Sequence, residues 1–191
     1  MNPPVHPTPT VSASVHDLAG AEERGAVFGG FIAKCLYNLD KVVGSMDDIT
    51  IKPIGFARNA VKEPRFGNFA DEISEIMVDD KFSGALEGID DYSHVIIVYW
   101  MDGVKDYVIA HRPQGNPDVP IVGIFACRCP RRPNPIAITT VKLISHEGNT
   151  IKVKGLDILD GTPIIDIKPY WPVYDKVENG KIPDWVNKLQ F

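Results

Sequence analysis

Long apolar runs are missing from this chain: nowhere do its 191 residues hold the roughly 18 consecutive apolar side chains that a membrane-spanning helix needs. The N-terminus lacks the charged-then-apolar layout of a secretory signal, so a cytoplasmic protein with no membrane partner is expected. Cysteine is scarce. There are three, and Cys127 and Cys129 flank a single arginine, where bridging geometry is poor, which favours reduced thiols over a disulfide framework. A surplus of positive charge is also absent. The net charge of −5 argues against gripping nucleic acid by bulk electrostatics, yet leaves room for a local basic site. No phosphate loop, dinucleotide fingerprint or HExxH pattern occurs, and Phe28-Gly29-Gly30 sits in a helical pattern with no strand before it. His6, His16, His94, His111 and His146 show no metal-ligand spacing, and Cys127-Arg128-Cys129 lacks the spacer and second pair of a zinc site, so no metal is expected. His94, just before an apolar strand, reads as a hydrogen-bonded structural residue.

What the chain does contain falls into three parts. Residues 1–16 are rich in proline, serine and threonine and poor in core-forming side chains, the composition of a disordered tail. In 17–48, Phe28, Phe31, Ile32, Cys35, Leu36 and Leu39 recur at steps of three and four, which predicts an amphipathic helix from Asp17 to Val43, weakened by Gly29 and Gly30. From 49 to 191 the pattern changes to short strands: Ile51 to Ala57, Glu75 to Asp79, Val95 to Trp100, Ile121 to Cys127, Ile138 to Ser145, Thr150 to Lys154 and Ile164 to Ile167. Turn signals such as Glu147-Gly148-Asn149 and Asp160-Gly161 separate several of them. Without long amphipathic helices between strands a doubly wound parallel sheet is not expected. The expected fold is mostly β: a single-sheet, largely antiparallel barrel with an N-terminal amphipathic helix and a short C-terminal helix over Pro183 to Leu189.

Two stretches carry the chemistry. Gly123 to Ile138, GIFACRCPRRPNPIAI, packs an apolar run, two cysteines, three arginines and three prolines into sixteen residues. The prolines forbid a regular strand or helix, so a strand is expected to end in a stiff loop that presents Arg128, Arg131 and Arg132 to an anion, a carboxylate or a nucleic acid backbone. Leu156 to Pro172, LDILDGTPIIDIKPYWP, contributes Asp157, Asp160 and Asp166 around a glycine turn. Aspartates there commonly bond local backbone amides; alternatively, opposite charges converging at one end of a barrel make a polar cleft for a zwitterionic ligand.

GIFACRCPRRPNPIA resembles the GxFxTRSPxRPNPIG signature, and LDILDGTPIIDIKPY resembles the LDxxDGTPxxDIKPY signature, of the TrmO (TsaA-like) family. Ile54-Gly55, Glu63-Pro64-Arg65, Leu86-Glu87-Gly88-Ile89 and Tyr92-Ser93-His94 resemble its remaining landmarks in order. The resemblance implies an S-adenosyl-L-methionine-dependent tRNA (adenine-N6)-methyltransferase with a barrel in place of a Rossmann domain. Its acceptor would be the threonylcarbamoylated adenosine beside the anticodon, and its sites would be built between two subunits of a homodimer.

By the same resemblance, Arg65, Phe66 and Gly67 form one wall of the cofactor site. Met101, Asp102, Arg128, Ile138 and the segment Asp157, Ile158, Leu159 and Asp160 form the rest. Arg131, Arg132 and Asn134 face the tRNA substrate. Asp160 is the candidate catalytic oxygen that accepts a proton from the N6 amine, with cofactor binding as the alternative role for Asp157 and Asp160. The chain departs from the family at Cys127 and Cys129, where Thr and Ser are usual, at Ala137, at Met101-Asp102 and at Phe66-Gly67-Asn68.

Overall fold

The computed structural model describes residues 49–191; the expected tail, helical extension and their boundary lie outside the described residues. Six strands close into a barrel: β1 (Gly55–Arg58), β2 (Ile73–Val78), β3 (His94–Trp100), β6 (Ile136–Glu147), β7 (Thr150–Lys154) and β8 (Pro163–Pro169). Their order around the barrel is β1-β2-β7-β6-β3-β8, with every pairing antiparallel. The alternation that predicted strands also aims them. In β3, Val95, Ile97 and Tyr99 point inward, between half-buried neighbours, and β7 repeats the pattern with Ile151 and Val153. These side chains meet Ile76, Val78, Val141, Leu156 and Ile164 in one interior cluster. Closure leaves no long edge to template aggregation.

The expected strand Ile121 to Cys127 does not form. Only Val122–Gly123 (β5) is extended, paired with Ala110–His111 (β4) in a two-stranded sheet outside the barrel. Ile124–Ala126 then turn as a 3-10 helix. Ile124 is buried, but Ile121 and Phe125 are 65% and 80% exposed, so the apolar run is not a core strand. An apolar run specifies burial only when flanking elements pair with it, and here proline stands on both sides. β1 begins at Gly55, not Ile51, after Pro53 interrupts the donor ladder.

At the C-terminus the expected short helix is a 3-10 helix, Asp184–Lys188. Its tail is tied to the 114–118 segment: the Gln114 side chain donates to Gln190 O at 2.7 Å and accepts from Gln190 N at 3.0 Å. Asn116 Nδ2 likewise donates to Lys188 O at 3.1 Å. A single turn of α-helix, Pro172–Asp175 (α1), precedes it.

At the pole where β6 turns into β7, both ring nitrogens of His146 meet acceptors, Asp90 Oδ2 and Gly148 O, each at 2.9 Å. The Asp90 carboxylate, then the Gly148 carbonyl, raise its pKa. Because the folded pKa lies above the unfolded one, this clamp stabilises fully below about pH 6.5 and is lost as pH rises through the folded value. Thermal melts from about pH 6 to 8 are expected to show a falling Tm in the wild type and a flatter profile in His146→Gln. Equal slopes would remove His146 from the account.

Candidate functional site

The ends of β1, β3 and β7 and the beginnings of β2, β6 and β8 share one pole of the barrel, a consequence of the antiparallel registers. The turn from Gly155 to Thr162 lies across this pole, closing onto β1 through Gly161 N to Ala57 O at 2.9 Å. Tyr99 reaches it from inside. Its hydroxyl donates to Asp157 O at 2.7 Å and pairs with Thr139 Oγ1 at 3.2 Å. Burial raises the tyrosine pKa, keeping the hydroxyl a donor.

Asp157 and Asp160 sit three residues apart in this turn and face different surroundings. Asp157 keeps a solvent-facing edge, yet burial of its carboxyl raises its pKa; Arg128, then Arg65, pull it back in part. Asp160 shifts the other way. Its Oδ2 meets Lys62 Nζ at 2.5 Å and its Oδ1 accepts from Asn59 N at 3.0 Å. The Lys62 hydrogen bond, then the Asn59 amide, hold it below the ordinary carboxylate range, with Arg58 also contributing. Both Asp160 oxygens are thus committed to holding β1's exit segment.

The arginine loop divides as well. Arg128 donates from Nη2 to Ile138 O at 2.8 Å. Ile138 lies opposite Val98 on β3, in the part of β6 that precedes its pairing with β7, so the carbonyl is open to a side chain. Arg131 is spent on Asp106, with Nε to Oδ1 at 3.3 Å and Nη2 to Oδ2 at 2.5 Å. Arg132 bonds carbonyls of its own loop, Cys127 O at 3.4 Å and Cys129 O at 3.5 Å. The loop's cations therefore largely hold the loop itself, and Arg128 is the one placed beside an aspartate of the turn.

The remaining candidates scatter around this centre. Arg65 pairs with Glu72 and lies 4.8 Å from the Phe69 ring centroid; after it Phe66 is 68% exposed, and Gly67 takes a φ of +100° that suits glycine. Met101 packs against the interior cluster, and its amide donates to Pro135 O at 2.8 Å. Asp102 is exposed, with its carbonyl accepting from Lys105 at 3.3 Å. Ile158 is buried in the core and its carbonyl is taken by Asn59 Nδ2, while Leu159 O accepts the Thr162 hydroxyl. Asn134 is exposed, its carbonyl bonded by Ile136 N at 2.7 Å.

Asp166 leaves the cleft altogether: it pairs with Lys168 at 2.6 Å on β8. Cys127 Sγ lies 3.3 Å from His111 Nε2, and among the described residues no three ligand-type side chains gather as a metal site. His94 accepts or donates to the Ser93 hydroxyl at 2.9 Å and packs edge-on to Tyr170, a structural setting.

Tyr99 went unnoticed in the sequence because it reads as one more core residue of β3. Its hydroxyl alone distinguishes it, so Tyr99→Phe is expected to cost about 0.5–1.5 kcal/mol of stability and to loosen the Asp157 turn. Amide exchange at 157–160 is the readout; unchanged protection would rule out a clamp.

A closed six-stranded antiparallel barrel with an arginine loop and an aspartate turn at one pole defines the class. The sequence profile of the tRNA-methyltransferase O N-terminal domain matches residues 56–176, and the chain belongs to that family. An Archaeoglobus fulgidus S-adenosyl-L-methionine-binding protein is 40% identical over 131 residues, covering 66% of this chain and 93% of that protein. A second from the same organism, a probable S-adenosyl-L-methionine-binding protein, is 39% identical over 70% of this chain, which spans only 37% of it. A mouse tRNA (adenine(37)-N6)-methyltransferase is 35% identical over 56% of this chain and 25% of its own length. Among solved structures, TrmO from Pseudomonas aeruginosa superposes with a TM-score of 0.58 at 30% identity, covering 71% of this chain and 62% of that one.

Proposed function

We propose that this protein is an S-adenosyl-L-methionine-dependent methyltransferase acting on N6 of an adenosine in tRNA, with the threonylcarbamoylated adenosine beside the anticodon as acceptor. The observation that carries this reading is a TrmO-family barrel whose pole sets the Asp157 carboxyl, its pKa raised by burial, within electrostatic reach of Arg128 and Arg65. The side chains fit the cofactor's chemistry. A guanidinium suits its carboxylate, and the exposed Phe66 and Ile138 offer apolar surface to its adenine. Arg65, Gly67, Met101 and Asp102 complete the wall, and the backbone from Asp157 to Asp160 floors it. When bound, the cofactor supplies an electrophilic methyl group.

The chain's own work is to place the acceptor amine and take its proton. Positioning accounts for much of the barrier reduction in such a displacement. With the threonylcarbamoyl group in place N6 carries one hydrogen and is a weak nucleophile, so it gains from an oxygen that accepts that proton as the methyl is transferred. Asp157 fits this role better than Asp160: burial of its carboxyl raises its pKa, whereas Lys62 and Asn59 lower that of Asp160. Asp160 is reassigned to positioning the turn. With Arg131 and Arg132 occupied by Asp106 and by loop carbonyls, they shape the loop, and Asn134 stays available to RNA. The exposed Ile109, Ile121 and Phe125 beside this loop form the apolar face through which two copies would pair as a homodimer.

The test follows label from S-adenosyl-L-methionine into total tRNA from cells lacking their own enzyme. Label in the RNA fraction supports the reading. Label in a small molecule alone would replace it with a methyltransferase of another acceptor.

A further inference from the structure

The outer wall of the barrel below the same pole carries cations that the reaction does not use. Arg58 on β1, Lys62 in the segment after it and Lys152 on β7 converge on an open recess of about 530 Å³, which Asn59, Ile73, Glu75 and Asp160 complete. The registers set this row: Arg58 lies across from Glu75, and Glu75 across from Lys152. Two residues nearer the pole, Lys154 on β7 lies across from Lys142 on β6. The inward neighbours Ala57, Ile76, Val141, Ile151 and Val153 are all core, so these charges stand outward by the strand alternation. Neighbouring strands lie about 4.8 Å apart, so the row from β1 to β6 runs about 14 Å.

The acids interleaved here do not cancel the row. Lys62 meets Asp160 at 2.5 Å, Lys152 meets Glu75 at 3.1 Å and Lys154 meets Asp71 at 2.7 Å. Among the described residues neither Arg58 nor Lys142 forms a close ion pair, and Arg58 acts on Asp160 only at longer range. The lysines remain 65%, 42% and 38% exposed, so the pairs are surface pairs of little worth, and each ammonium keeps hydrogens to offer a second anion. A local excess of cations on a chain of net charge −5 is an asymmetry with a direction. Asp160 links it to the reaction centre, since the turn that shows Asp157 to Arg128 shows Asp160 to Lys62 and Arg58.

We infer that Arg58, Lys62 and Lys152, continued by Lys154 and Lys142, form a track for the phosphodiester backbone of the RNA whose adenosine enters the pole. This rests on the proposed function for the kind of acceptor, and on the charge placement for the track itself. The contacts are to phosphate, so they position the strand and leave the base to be read at the pole.

The test is the salt dependence of binding. Fluorescence anisotropy with a labelled anticodon stem-loop RNA is compared between the full chain and the triple variant Arg58→Gln, Lys142→Gln, Lys152→Gln. The variant is expected to bind about tenfold or more weakly at low salt, and its slope of log K against log salt is expected to be shallower by about 2. Its affinity for S-adenosyl-L-methionine is expected to be unchanged, which also shows that it folds. Lys152→Arg, which keeps the charge, is expected to bind RNA like the wild type. Equal RNA affinity and equal slope in the triple variant would overturn the track. If the wild type binds the stem-loop through these cations but methylates no RNA, the track stands and the reaction falls. If it methylates tRNA and the triple variant binds unchanged, the reaction stands and the track falls.

Discussion

Asp157→Asn is expected to lower turnover by about 10²-fold or more while leaving S-adenosyl-L-methionine affinity nearly unchanged, because a positioned proton acceptor contributes about 10²–10⁴ to a rate. Asp160→Asn, three residues away, is expected to stay within about threefold of wild type, since an amide oxygen still accepts from Asn59 N. The pH dependence follows from the raised pKa of Asp157. The acceptor is active when ionised, so the rate rises with pH as the carboxyl loses its proton, and burial shifts that acid limb upward from an ordinary aspartate's. In Asp157→Asn the limb disappears. Steady-state kinetics over pH and calorimetric cofactor titration measure both effects, and a collapse of cofactor affinity would make Asp157 a binding group instead.

The second large effect is structural. Gly55 is buried in β1 opposite Val78, and a methyl group there would run into the Met77 carbonyl and the Val78 backbone. Backbone cannot rotate aside as a side chain can, so Gly55→Ala must push β1 from β2 and open the barrel at a seam. Overpacking of this kind costs about 1–3 kcal/mol, and with backbone as the obstacle the upper end applies. For a chain of this size that corresponds to a Tm lower by roughly 6–12 °C. Gly84→Ala, with open space around it, is the control and is expected to melt within about a degree of wild type. Equal Tm values for both variants would mean the seam is looser than the register implies.

The barrel was legible because its strands alternate. Val95, Ile97 and Tyr99 must share a face if β3 is extended, and the turn residues at Gly148-Asn149 set the β6–β7 hairpin. The Ile121 to Cys127 run misled because apolar character alone carries no information about a partner strand. The motifs marked the two loops of the candidate site but not the division of contacts within them. Which way Asp157 and Asp160 face is decided by Asn59 and Lys62, about a hundred positions away, and by Arg128, none of which a local turn pattern encodes. Likewise, three arginines in one loop looked like three ligand contacts. Asp106 and two loop carbonyls account for two of them, a use of charge that becomes visible only once the chain folds back on itself.

The central claim is most directly tested by nucleoside mass spectrometry of tRNA carrying the threonylcarbamoyl group, incubated with the full chain and S-adenosyl-L-methionine. That nucleoside is expected to gain one methyl group on N6, and to gain none with Asp157→Asn. A methyl group on any other nucleoside, or a cofactor-binding protein that leaves every nucleoside unchanged, would contradict it.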